Sequence, residues 1–197
     1  GGAISIIAKS TNFHGTAKAA GAAAGGNGGT IETSGNHLDV SGAKVDASAA
    51  HGAMGSWLLD PENVTITNTA SANGALASGT FTPSGDNSVI AVADLQNALA
   101  TANVTINTGN TGSQAGDIEV SSNINWNRAS SLTLTANRNI TVDDNVAITN
   151  AGSGGLTLYA DAGAVDAGTV TFGDGAGAHL ASGNLNVYYA PTLGYAH

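Results

Sequence analysis

Fourteen acidic side chains against five basic ones set the chemistry open to this 197-residue chain. Breaking a polysaccharide needs two carboxylates close together, often with a Lys, an Arg or a bound Ca²⁺ beside them. Three pairs have suitable spacing: Asp143 with Asp144, Asp117 with Glu119, and Asp161 with Asp166. Each falls at a turn or an outward strand position, where solvated carboxylates are ordinary. No catalytic residue is therefore expected. The five histidines, His14, His37, His51, His179 and His197, form no i, i+2 or i, i+4 pair, so neither a metal site nor a cofactor is expected. Phe172-Gly173-Asp174-Gly175-Ala176-Gly177 has the composition of a Ca²⁺-binding Gly-Asp turn, but the repeat that makes such turns convincing is missing; it reads as a plain turn. There is no Cys nucleophile, no Gly-x-Ser-x-Gly elbow and no phosphate loop.

The charge balance narrows the partners. Net charge is -9, and Lys9, Lys18, Lys44, Arg128 and Arg138 are scattered. Phosphate binding needs clustered Lys and Arg, so no nucleic-acid partner is expected, and anionic membrane surfaces are disfavoured likewise. The absence of Cys removes one marker of export without excluding it. Low Lys, abundant Gly, Ala, Asn, Thr and Ser, and acidity suggest a bacterial exported protein. No signal peptide or membrane-length apolar run is visible. Both ends read like cuts through a repeat array.

The elements that would carry these residues are short strands of one recurring form. Ser131-Leu132-Thr133-Leu134-Thr135-Ala136 is echoed by Gly155-Leu156-Thr157-Leu158-Tyr159-Ala160 and by Asn184-Leu185-Asn186-Val187-Tyr188-Tyr189-Ala190. Asn63-Val64-Thr65-Ile66 and Asn103-Val104-Thr105-Ile106 match too. Apolar residues alternate with Thr, Ser, Asn and acids, and Gly, Asn or Asp punctuate the boundaries. Recurrence every two or three dozen residues predicts a solenoid. The strands are too short and too close for helical crossovers. The expected fold is therefore all-β, a right-handed parallel β-helix of three strands per turn and eight or nine turns, forming a single unit over 1–197. One short helix is predicted over residues 93–100, with Leu95 and Leu99 facing in. Residues 69–87 read as a loop leaving the stack. Ala19–Gly29 reads as a close-packed corner more readily than a linker.

Ser41-Gly42-Ala43-Lys44-Val45-Asp46-Ala47-Ser48, followed by Gly55-Ser56-Trp57-Leu58-Leu59-Asp60-Pro61-Glu62-Asn63-Val64-Thr65-Ile66, resembles the exoproteins of bacterial two-partner secretion, the filamentous-haemagglutinin-like adhesins. Asn103–Ile106, Gly116–Val120 and Ser131–Ala136 are similar to phrases that follow in that family. The resemblance covers most of the chain, about Gly28 to Tyr189. It implies a β-helical shaft segment of a secreted surface adhesin, exported through an outer-membrane pore partner, non-catalytic, and attaching to a host or sibling cell-surface receptor or glycan. The family's secretion domain opens with Asn-Pro motifs. No Asn-Pro pair occurs here, which implies a segment downstream of that domain.

The central passage also has a physical reading of its own. Trp57, just before Leu58 and Leu59 in an otherwise small-residue stretch, is expected to fill the core; Asp60 and Pro61 end a strand and fix a turn; Asn63 opens the next strand. Thr-x-Thr pairs read as outward strand positions, and Asn-x-Thr at Asn63, Asn103 and Asn139 as turn-then-strand. Tyr188, Tyr189 and Tyr195 cluster near the C-terminus; one of the adjacent pair faces outward, where a cross-strand contact is the simpler reading and binding of a sugar or a partner the other. The first and last strands offer uncharged edges, so end-to-end stacking into a homo-oligomeric fibre is a further expectation, and a carbohydrate-active β-helix enzyme the remaining alternative.

Overall fold

A computed structural model describes residues 1–35, 37–60, 63–68, 74–77, 80–83, 88–108, 114–163 and 168–189. The chain is a β-solenoid of about 6 turns built almost wholly from parallel strands, with a single short helix among the described residues. Turn one is β1 (Ala3–Ile7), β2 (Ser10–Asn12) and β3 (Thr16–Lys18). Turn two is β4 (Thr30–Ser34), β5 (His37–Asp39) and β6 (Lys44–Asp46). Turn three carries β7 (Ser56–Asp60), β8 (Val64–Thr67), β9 (Gly74–Ala77), β10 (Thr80–Pro83), β11 (Ser88–Ala91) and α1 (Val92–Leu99). Regular turns resume with β12 (Asn103–Asn107), β13 (Ile118–Val120) and β14 (Ile124–Trp126), then β15 (Leu132–Thr135), β16 (Ile140–Val142) and β17 (Ala147–Asn150). The last is β18 (Leu156–Ala160), β19 (Val170–Phe172) and β20 (Gly177–Leu180), and β21 (Leu185–Tyr189) begins another.

Register turns the alternating pattern into columns. The first sheet runs β1-β4-β7-β12-β15-β18-β21. It stacks Ile4, Ile31, Trp57, Val104, Leu132, Leu156 and Leu185 in one column, and Ile6, Thr33, Leu59, Ile106, Leu134, Leu158 and Val187 in the next. Both point inward, and from β4 to β18 their members are buried. Each buried aliphatic side chain contributes roughly 1.5–3 kcal/mol relative to exposure. The second face adds Ile90, Ile66, Val120, Val142 and Phe172. Because side chains repeat with period 2, a one-residue slip would turn every column to solvent, so the pattern itself specifies the register.

Turn three accounts for part of the shortfall from the eight or nine turns expected, and residues spent in the corners of the other turns for the rest. After β8 the chain leaves the stack, and part of 69–87, expected to be an aperiodic loop, forms the antiparallel hairpin β9–β10. It returns as β11, pairing with β8 on the side away from β13. The second face therefore holds one strand more at this level than the first. No ladder joins β5 to β11; the Leu38 N–H donates instead to Ser88 Oγ at 2.9 Å, with Ser88 buried. A buried N–H without a partner would cost about 1–3 kcal/mol, which the serine avoids.

The helix then takes the place of a strand on the third face, between β6 and β14. Val92, Leu95, Ala98 and Leu99 are buried, as the i, i+4 spacing predicts. Its ends are tied to the stack: Gly42 N–H donates to Asp94 Oδ2 at 2.9 Å, Thr101 Oγ1 to the Val45 carbonyl at 2.7 Å, and Ser130 Oγ to the Leu99 carbonyl. The Ala- and Gly-rich stretch is close-packed at Gly21, Gly28 and Gly29, while residues 22–24 form an exposed turn between them. A Cβ at Gly28 would stand 1.9 Å from the Ala47 carbonyl oxygen, and one at Gly29 1.9 Å from that of Gly2.

Candidate functional site

The outward face of β8, β13 and β16 carries a groove of about 320 Å³ lined by Asn63, Thr65, Asp117, Glu119, Asn139 and Thr141, with Val64 and Ile118 at its floor. Asp117 immediately precedes β13 and Glu119 is its middle residue. Two residues apart on one strand, they point the same way, roughly 7 Å apart by strand rise. That spacing suits two carboxylates working on opposite sides of a glycosidic bond. The bonding around them does not.

Both Asp117 oxygens are engaged. Arg138 Nε donates to Oδ1 at 2.9 Å and its terminal nitrogen to Oδ2 at 2.5 Å, while the Asn139 N–H donates to Oδ1 at 3.0 Å. The Arg138 guanidinium holds the Asp117 carboxyl below the usual carboxylate range; the Asn139 N–H assists and partial burial opposes. A general acid needs the reverse shift. A general base needs a free lone pair aimed at a water, and Asp117 has turned its oxygens to its own scaffold. Glu119 Oε2 accepts from Thr65 Oγ1 at 3.2 Å across the ladder.

Asp117 is one rung of a column. Asn63 Oδ1 accepts from the backbone N–H groups of Gly116 and Asp117, both at 2.8 Å; Asp117 does this for Asn139; and Asn139 Oδ1 accepts from Thr169 N–H at 3.0 Å. Each turn thus caps the strand entry of the next. Asn103 serves Ser131 N–H at 2.8 Å, Ser131 Oγ serves Gly155 N–H at 2.9 Å, and Asn123 serves Ala147 N–H at 2.8 Å. The Asn63 expected to open a strand does so, and it also caps the strand of the next turn. The chain matches no family model, no curated protein and no solved structure.

The other sequence candidates are dispersed. Asp144 Oδ1 accepts from Asp174 N–H at 2.8 Å, while Asp143 N–H donates to the Val120 carbonyl at 3.0 Å. Asp174 sits in a turn closed by Ala176 N–H on the Gly173 carbonyl, stacked on the equivalent turn at Asp143–Val146. Asp161 is buried at positive φ, and Asp166 lies outside the described residues. His51 and His179 are exposed and far apart in the stack; the His37 side chain and His197 lie outside the described set. Among the described residues no three His, Asp or Glu side chains converge to hold a metal ion.

Within the passage Trp57–Asn63, Trp57 is 1% exposed and its Nε1–H donates to Thr33 Oγ1 at 3.1 Å. Thr33 occupies an otherwise aliphatic column because the indole beside it needs an acceptor. Leu59 is buried, whereas Leu58 is half-buried on the outward face. Strand β7 ends at Asp60, and Pro61 lies outside the described residues.

One charged cluster escaped the reading of the sequence. Asp39, fully buried, lies 3.2 Å from His14 Nε2, and its Oδ1 accepts from Ser41 N–H at 2.8 Å and Ser41 Oγ at 2.5 Å. Half-buried Asp94 of α1 stands close by, its pKa raised chiefly by burial. The available signal was Asp-x-Ser, repeated at Asp46-Ala47-Ser48, which closes the same side-chain turn at 3.1 Å. This cluster joins turns one and two and the helix.

Proposed function

We propose that this chain is a structural shaft segment of a secreted bacterial surface adhesin, mediating attachment or cell–cell aggregation without catalysis. The observation that carries the scaffold part is the use of Asp117: in the one outward groove described with paired carboxylates, it serves the next turn of its own stack. The resemblance of Trp57–Ile66 and the phrases around it to two-partner-secretion exoproteins supports the rest. On this reading an outer-membrane pore handles export, and a receptor or glycan on a host or sibling cell is the partner. No helix among the described residues is long and apolar enough to cross a membrane.

Beads coated with the purified chain test the attachment reading. They are expected to adhere to bacterial or host cells, and soluble chain is expected to compete. Absence of adhesion to any cell type, or cleavage of polygalacturonate or a similar polymer lost on Asp117→Asn, would overturn it. A fibre subunit stacking head to tail is a second reading. Among the described strands β1 pairs with β4 alone and β21 with β18 alone. Inward Leu185 and Val187 would meet Ile4 and Ile6 of another copy, aliphatic on aliphatic. Sedimentation over a wide concentration range tests this, and a strictly monomeric species would overturn it.

A further inference from the structure

The outward face of the first sheet has a feature the groove lacks. Tyr159 of β18 and Tyr188 of β21 are register partners and both face solvent, 36% and 48% exposed. Their rings stand at 85° with centroids 5.9 Å apart, forming a right-angled step. Two residues earlier on the same strands lie Thr157 and Asn186, joined by Asn186 Nδ2 donating to Thr157 Oγ1 at 3.4 Å. The preceding strand continues both columns with Thr133 and Thr135. Among the described residues, the outward register positions of β15, β18 and β21 carry no charged side chain, although the chain as a whole carries -9.

From this arrangement we infer that the strip is a binding face for a neutral polysaccharide. The aromatic step offers flat π surface to the C–H face of a pyranose ring, while Thr and Asn offer hydroxyl and amide groups to its hydroxyls. Successive strands about 4.8 Å apart suit successive sugar rings. Size argues against a protein partner. Three or four strands and two side-chain columns cover on the order of 200–300 Å², against about 800 Å² per partner for a stable protein interface. The lack of Lys and Arg argues against anionic polymers. This names the glycan of the attachment reading and rests on it.

Affinity electrophoresis in native gels containing hydroxyethylcellulose or galactomannan, with polygalacturonate as the anionic control, tests the inference. Retardation is expected in at least one neutral gel. Tyr159→Ala and Tyr188→Ala are each expected to weaken it at least tenfold, with Tyr→Phe at either position retaining most of it and circular dichroism unchanged throughout. Retardation unaffected by the double alanine variant, none in either neutral gel, or stronger retardation by polygalacturonate would overturn it. Bead adhesion separates the two levels: adhesion that survives the double alanine variant rejects this face and leaves the attachment reading standing.

Discussion

At the scale of single residues, polar side chains carry much of the structural work that the apolar pattern cannot. Trp57 brings a large volume and one N–H into the core, and Thr33 supplies the acceptor. Trp57→Ala is expected to destabilise the fold by roughly 3–5 kcal/mol, read as a lower urea midpoint. Thr33→Val keeps the shape and strands the indole N–H, so a loss of about 1–3 kcal/mol is expected. Burial of Trp57 was legible, because a large aromatic in a period-2 strand has only an inward or an outward choice. Its partner was not: Thr33 looks like any strand threonine, and only the register of β4 against β7 brings the two together. The same holds for Asp117 and Arg138, whose pairing depends on how long each turn is.

At the scale of elements, α1 was legible from Leu95 and Leu99, and the structure places it at Val92–Leu99. Its position inside the third face was not, since spacing along one helix says nothing about what lies above and below it. The hairpin β9–β10 and the backward step of β11 escaped the sequence for a related reason: strand pairing across a long excursion has no local signature. The helix also starts poorly. Its N-cap is Ala91, without a side-chain cap, and Asp94 alone supplies acid in the first turn. Ala91→Ser is expected to stabilise by about 1 kcal/mol, checked by thermal melting; a lower melting temperature would show that Ala91 is held by its pairing with Thr67 more than by the helix start.

At the scale of the whole molecule, the stack is held by apolar columns inside and by turn-to-turn caps and ion pairs outside. The outer layer has a pH signature. Asp46, bonded to Lys18 at 2.7 Å and to Ser48, has its pKa lowered from 3.8 to about 2. A carboxylate whose folded pKa lies below its unfolded value stabilises above the unfolded value and loses that contribution as pH falls toward the folded one. The difference in urea midpoint between the native chain and Lys18→Gln is therefore expected to be constant above about pH 5 and to vanish between about pH 4 and pH 2. A difference that persists at pH 2 would mean that Lys18 acts through its aliphatic stem. The solenoid class was legible because recurrence and alternation are both local in sequence. The number of turns was not, because residues spent in corners and excursions look like strand-bearing sequence until the pairing is known.

The claim that the groove is scaffold and not an active site makes opposite predictions for one substitution. An active-site carboxylate is commonly held at some cost to the fold, so replacing it leaves stability unchanged or raises it. A carboxylate that caps the next turn and pairs with an arginine does the reverse. The urea midpoint of Asp117→Ala is therefore the decisive measurement: the scaffold account predicts a fall corresponding to about 1–3 kcal/mol, and an unchanged or higher midpoint would contradict it.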